Sequence, residues 1–366
     1  MLPAGRQRKA DMEIVVAMSG GVDSAVTAAL LLERGHSVAG ATMSIWREGR
    51  YRGGKRDACF GPGEREDIET AEKVCRRLGI PHRTLDCVDA YEKIVLNNFR
   101  SEYLAGRTPN PCVRCNSQIK FAVLSRLAEA AGMSFERFAT GHYVRLAPHD
   151  GLIRLYRGRE PAKDQSYFLY RLDQEQLARV LTPLGDYAKD EVRAMARRFS
   201  LPVHDKPDSQ DFYAGDYREL LDVEGRPGGP IVHASGKILG QHDGYWNFTV
   251  GQRKGLGLSH CEPLYVIAIH PERNEVIVGE TGTTVRHWLI ARDCNWVSIP
   301  PPEIPFNAGV KVRSSGAIVS CRVVPLADAG FQAEFPDGIA GVAPGQSAVL
   351  YQDDMLLGGG VIVSSG

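Results

Sequence analysis

Residues 13–34 read EIVVAMSGGVDSAVTAALLLER, and Gly35 follows. Glu13–Met18 is a short apolar run, which predicts a strand buried on both faces in a parallel sheet. Ser19–Asp23 is a glycine- and serine-rich turn. Residues 24–34 carry helical periodicity and stop at Gly35, a usual helix end. Residues 37–43 (SVAGATM) predict a second strand. In such a strand–turn–helix, Gly20 and Gly21 let the backbone approach an anion. The helix start offers unpaired N–H groups and partial positive charge. Ser19 and Ser24 add hydroxyls. Asp23 suits a phosphate site only with a magnesium ion between them.

The same alternation continues outward. Residues 67–78 predict an amphipathic helix stopped by Gly79, and residues 81–85 lead into a strand. Residues 90–104 and 121–131 predict helices, and residues 137–141 a strand. Shorter helical pieces are expected at 166–170, 174–180 and 189–199. This pattern predicts an α/β fold with a parallel sheet covered on both faces. After about residue 205 glycine and proline become frequent, and short strands are expected at 230–232, 245–250, 264–270, 275–278 and within 288–363. The expected organisation is three domains: α/β over 1–205, a small β-rich unit over 206–282, and a C-terminal β-barrel over 283–366.

Composition narrows the function classes. The chain has 366 residues, 44 basic and 44 acidic, with 43% hydrophobic residues. That is globular composition, and it excludes whole-chain disorder, collagen and coiled coil. No apolar run has the roughly 18 residues of a membrane helix, and residues 1–11, read as a frayed leader, show no signal-peptide pattern. A cytoplasmic location is expected. Zero net charge argues against indiscriminate nucleic-acid binding but allows a local basic path. Eight cysteines in such a chain do not form a disulfide framework, leaving metal binding, redox chemistry or burial.

SGGVDS lacks the GK[ST] ending of a Walker A loop and resembles the pyrophosphate loop of ATP pyrophosphatases. Further motifs appear in order: TPNPCVRCNSQIKF (108–121), ATGHYVRL (139–146), KDQSYFLYRL (163–172), PDSQDF (207–212), TVGQRKGLGL (249–258) and APGQSAVLY (343–351). Together they resemble the bacterial tRNA-specific 2-thiouridylases from about residue 13 to the C-terminus. The resemblance implies ATP-dependent thiolation of the wobble uridine, U34. ATP adenylates the uracil C2 oxygen, a sulfur nucleophile attacks C2, and AMP and pyrophosphate are released. Two other readings stay open: another adenylating ligase with the same loop, or a tRNA-binding or redox protein without thiolation activity.

The resemblance places ATP on Ala17, Met18, Ser19, Gly20, Gly21, Val22, Asp23, Ser24, Met43 and Gly141. It makes Cys115 the nucleophilic cysteine, with Cys112 at an otherwise acidic position and Asp23 as a catalytic carboxylate. A second catalytic cysteine is expected shortly after the DSQ segment, but Tyr213 stands there. Two explanations remain. Sulfur passes through Cys112 and Cys115 as a persulfide–disulfide pair, or a [4Fe–4S] cluster is held by Cys59, Cys112 and Cys115. Cys75 and Cys87 read as core.

For tRNA, the resemblance points to Asn110, Pro111, Cys112, His142, Lys163, Asp164, Gln165, Arg313, Ser314 and Gln346. Asn110 and Pro111 would shape the pocket for a flipped base. Asp208 and Ser209 begin a mobile active-site segment. Arg253, Lys254 and Lys311 read as surface cations or phosphate contacts. Residues 47–56 (REGRYRGGKR) read as a solvated loop or a basic arm. A sulfur-donor protein or inorganic sulfide is the expected further partner.

Overall fold

The computed structural model describes residues 12–54, 58–207, 212–213, 215–221, 223 and 225–366. Residues 1–11, Lys55 and Arg56 of the basic stretch, and Asp208 and Ser209 lie outside them.

Strands β1 (Glu13–Ala17), β2 (Ser37–Ser44), β3 (His82–Asp86) and β4 (Arg137–Ala139) belong to a five-stranded parallel sheet. A hairpin of β5 (Val144–His149) and β6 (Leu152–Arg157) precedes the fifth strand, β7 (Val180–Leu181). The order is β3-β2-β1-β4-β7, with β1 in the middle. Ile14 and Val16 pack into one core and Val15 into another, so successive side chains of β1 serve opposite faces. This is why the run is apolar throughout rather than alternating. Helix α1 (Val22–Glu33) covers one face, and α2 (Glu64–Leu78) ends at Gly79 in the left-handed conformation.

Two long helices differ from expectation. Val88–Tyr91, Glu92–Leu96 and Asn97–Leu104 run on as one rod whose middle segment is π-helical. The next rod begins at Pro111, ten residues before the expected start at Phe121, and runs through Pro111–Arg114, the π-helical Cys115–Leu124 and Ser125–Ala130. Asn110 caps it by accepting the Val113 N–H at 3.3 Å, and Pro111 fills the first helical position.

β8 (Gly229–His233), β9 (Ile238–His242), β10 (Leu264–His270) and β11 (Glu275–Glu280) form a central four-stranded sheet. The strand expected at 245–250 is instead a 3-10 turn, Tyr245–Asn247. Gly244 enters it at φ 147°, and the Trp246 ring packs where a Cβ of Gly244 would stand. β12 (Arg286–Trp296), β13 (Phe306–Lys311), β14 (Val319–Pro325), β15 (Phe331–Ile339), β16 (Ser347–Gln352) and β17 (Met355–Ser365) close into an antiparallel barrel through β12–β17 pairing. The β5–β6 hairpin, from within the expected α/β region, joins this barrel: Tyr156 pairs with Met355 and Leu155 with Leu356. Among the described residues, no helix is long and apolar enough to cross a membrane.

Candidate active site

The carboxyl ends of the parallel strands share one edge, where open α/β sheets take ligands. The loop after β1 is SGGVDS. Gly20 has φ +70°, and a Cβ there would stand 2.3 Å from the Asp67 carbonyl oxygen on α2. Only glycine accepts both conditions. Met18 is locked beneath the loop, its N–H on Ala41 O at 2.8 Å and its carbonyl accepting from Thr42 Oγ1 at 2.9 Å. Ser24 Oγ turns inward, accepting from Ser19 N–H at 3.2 Å and donating to Gly21 O at 3.2 Å. It therefore staples the loop, while Ser19 is exposed. No side chain caps the start of α1. Its first N–H groups, with those of the loop, form a concave donor surface for an anion.

Asp23 is clamped. Both its oxygens accept from the Lys189 ammonium, at 2.7 and 2.9 Å, and Oδ1 also accepts from Tyr143 Oη at 2.7 Å. The Lys189 side chain is 8% exposed against 31% for Asp23. A second lysine, Lys206, donates to Gly20 O at 2.9 Å and to Asp67 at 2.5 Å. Two lysine–aspartate pairs thus flank the loop, and neither lysine was singled out in the sequence. Gly141, after β4, abuts the same loop: a Cβ there would lie 2.8 Å from the Asp23 backbone carbon. Its bareness admits the start of α1, whereas the sequence reading assigned it to adenosine. Ala17 and Met43 lie partly buried on the sheet, and Val22 faces the core under α1.

Cys87 lies along the same edge, with Cys115 near enough to act on its thiol. Cys87 follows β3, its N–H bonded to Ser44 O at 2.8 Å at the end of β2. Burial first, then the thiols of Cys115, Cys112 and Cys59, hold the Tyr91 hydroxyl well above its ordinary range, so all three thiols lie near enough to act on it electrostatically. Cys112 and Cys115 are three apart on one helix and share a face. Burial pushes the Cys115 thiol up to about 11, and the nearby Lys120 ammonium works against that rise. Cys75 and Cys87 are 1% exposed and pushed up to about 12 by burial, as core thiols should be. No disulfide joins any of the eight cysteines. Among the described residues, no three His, Cys, Asp or Glu side chains form a group able to hold a metal ion.

Tyr213 is buried, its hydroxyl donating to Glu219 at 2.8 Å and its ring 5.9 Å from Phe60. Phe60 N–H binds Phe212 O at 2.8 Å. The backbone beside Cys59 is therefore tied to the segment where a second cysteine was expected. Glu64, not noticed in the sequence, holds the turn after β2 through Ser44 Oγ, Ile45 N–H and Trp46 N–H at 2.7–3.0 Å.

The residues assigned to tRNA divide. Asn110 and Pro111 start the cysteine helix. Gln346, on the turn before β16, donates to Thr108 O at 3.0 Å and Pro109 O at 3.2 Å, so the barrel grips the segment leading into that helix. Asp164 binds Gly158 N–H and Ser166 N–H at 3.2 and 3.1 Å, and Gln165 accepts from Tyr143 N–H at 2.9 Å. These two act within the protein, and Lys163 beside them is half-buried. His142 was expected to face tRNA but is buried, with Thr140 Oγ1 2.8 Å from Nδ1. Burial, then Lys120, lowers its pKa well below the usual histidine range, so the ring is neutral and turned inward. Arg313 is exposed and Ser314 half-buried, on the barrel turn after β13 rather than on the sheet edge.

Family models described as tRNA methyl transferase HUP domain, tRNA methyl transferase PRC-barrel domain and Aminomethyltransferase beta-barrel domain match residues 12–213, 220–280 and 286–362. The chain is 45% identical over 359 residues to the tRNA-specific 2-thiouridylase MnmA of Endomicrobium trichonymphae, covering 96% of this chain and 99% of that one. It is also 45% identical to the protein of that name from Geotalea uraniireducens, covering 95% and 94%, and 44% identical to that of Geobacter metallireducens, covering 97% of each.

Proposed function

The chain belongs to the tRNA-specific 2-thiouridylase family, and on that premise we propose how its residues carry the reaction. It is an ATP-using tRNA-uridine sulfurtransferase. The proposal is that U34 is the target and C2 the reacting carbon. The uracil C2 oxygen attacks the α-phosphorus of ATP, and pyrophosphate leaves. Sulfur at the hydrosulfide level then adds to C2, and the C–O bond breaks as AMP departs with the oxygen. A urea-like carbonyl is a poor electrophile, and adenylation supplies the leaving group it lacks.

One observation carries this reading. The anion-cradling loop after β1 and Cys87 lie along the same carboxyl edge of one sheet, and Cys115 is near enough to Cys87 to act on its thiol. The loop N–H groups and the start of α1 hold the pyrophosphate portion. Cys115 is the sulfur-handling thiol and Cys112 its partner, with Lys120 favouring the thiolate. Asp23 is the carboxylate for magnesium, and its two oxygens fit that role once Lys189 exchanges the aspartate for phosphate.

For sulfur delivery the proposal is a [4Fe–4S] cluster on Cys59, Cys112 and Cys115. The described residues do not gather these three thiols into a metal-holding group; what supports the reading is that Tyr213 offers no thiol where a sulfur carrier was expected. When bound, the cluster would supply an open iron for hydrosulfide; the cysteines hold it and Lys120 tunes them. Anaerobic purification with iron and sulfide analysis tests the cluster. A colourless, iron-free, fully active enzyme overturns it in favour of a Cys112–Cys115 persulfide pair. Mass spectrometry of tRNA nucleosides after reaction tests the whole reading. Wild type should yield 2-thiouridine and Cys115→Ala none; failure of wild type with both sulfide and persulfide donors refutes the reading.

A further inference from the structure

The helix that carries the two cysteines has a second face. Asn110, Val113 and Arg114 lie together at i, i+3 and i+4, turned away from Cys112 and Cys115. They line a separate cleft of about 280 Å³ closed on its far side by the barrel. Resting on the tRNA reading above, we propose that this cleft grips the sugar–phosphate backbone of RNA next to the target uridine, while the cysteine face of the same helix addresses the base.

The lining supports a polyanion. Arg107, Arg114, Arg171 and Arg292 face it, against the carboxylates of Glu102 and Asp293. Glu102 is occupied by a two-pronged pair with Arg107, both bonds 2.7 Å, and Asp293 by Arg171 at 2.8 Å. Among the described residues no carboxylate pairs with Arg114. Arg292 spends Nε on Asp328 at 2.7 Å, and its buried Nη1 has no hydrogen-bond partner. That Nη1 packs against Gly330, 2.4 Å from where a Cβ would stand, so Arg292 brings the cleft positive charge rather than a free hydrogen bond. Apolar groups of Val361 and Val363 supply a wall for sugar or base. The volume lies just below the range of ordinary ligand pockets, about 300–1,000 Å³, which suits one nucleotide unit rather than a duplex. A helix is only about 10 Å across with its side chains, so both faces lie within reach of one single-stranded segment. Contacts of this kind set register without reading sequence.

The test uses the full chain with an unmodified tRNA transcript and with its isolated anticodon stem–loop. Binding is measured across a salt series for wild type, Arg114→Gln, Arg114→Lys and Arg292→Gln. Arg114→Gln should weaken both RNAs about tenfold and lower the salt slope by about 0.7, one single-stranded phosphate contact. Arg114→Lys should recover part of the affinity. ATP binding and the alkylation rate of Cys115 should stay at wild-type values. Unchanged RNA affinity and slope in both glutamine variants overturn the proposal. So does a loss that comes with altered Cys115 alkylation, which would mean a disturbed helix. If wild type itself neither binds tRNA nor makes 2-thiouridine, the functional reading of the preceding section fails instead.

Discussion

Replacing Lys189 by methionine isolates the clamp on Asp23. Methionine keeps most of the stem and removes the ammonium, which bridges both Asp23 oxygens at 2.7 and 2.9 Å and stands 5.7 Å from the Tyr143 ring centre. Breaking a fully buried pair from one side costs about 3–5 kcal/mol. Asp23 is 31% exposed and keeps the Tyr143 hydroxyl, so solvent recovers part of that loss. The expected cost is about 1–3 kcal/mol, felt where α1 meets the helix that Lys189 begins. A global unfolding midpoint blurs a local effect in a chain with several cores. The suitable measurement is native-state hydrogen exchange of the α1 amides in Lys189→Met, Asp23→Asn and the double variant. The cycle should show coupling of about 1–2 kcal/mol, the double variant being more stable than additivity predicts. Loss of the ammonium that passes from Asp23 to phosphate should also slow tRNA-dependent AMP formation at least tenfold. Wild-type α1 protection together with wild-type AMP formation in Lys189→Met would refute this account, as would additivity.

Three further outcomes follow from the site. Gly20→Ala meets a backbone oxygen at 2.3 Å and a left-handed φ, so it should cost about 2–4 kcal/mol and abolish ATP binding by equilibrium dialysis. Lys120→Met removes the charge that favours the Cys115 thiolate; iodoacetamide should then label Cys115 more slowly at pH 8 than in wild type, as followed by peptide mass spectrometry. His142 is held neutral in the fold, below its unfolded pKa of about 6.5, so the unfolded chain binds the extra proton. Stability is therefore complete above about pH 6.5 and falls as pH drops, by up to about 1.4 kcal/mol per unit. His82, lowered chiefly by burial, shares this window. His142→Asn should flatten the fall in urea midpoint between pH 7.5 and 5.5; an unchanged fall counts against it.

Local order was readable where one short segment carries its own signal. The strand–loop–helix at 13–34 is such a case, because period, turn residues and helix stop lie within one stretch. The hairpin at 144–157 was equally marked, by Asp150–Gly151 between two β-rich runs, with φ 48° and 80° at the turn. It went unread because the surrounding helices set the expectation. The early start at Pro111 had its sign too, a capping Asn before a helix-initial Pro. Lys189 and Lys206 had none, and Tyr143 stood in the ATGHYVRL motif with nothing to tie it to the loop. They reach the loop across more than a hundred residues of chain, and a lone lysine on an amphipathic helix looks like surface. His142 shows the reverse: a polar residue in a motif was read as facing tRNA, while Thr140 and Phe121 enclose it.

The union of the β5–β6 hairpin with β17 bears on how the chain is made. The hairpin's barrel partners, Met355 and Leu356, are translated some two hundred residues after Leu155 and Tyr156. At about 5–20 residues per second that is a delay of about 10–40 s. Throughout it the nascent chain carries an open β-edge, LIRLYR, whose arginines discourage pairing with a neighbouring chain. The hairpin therefore gains its barrel neighbour only as synthesis ends, and a message cut short before residue 355 yields a product marked by that open edge.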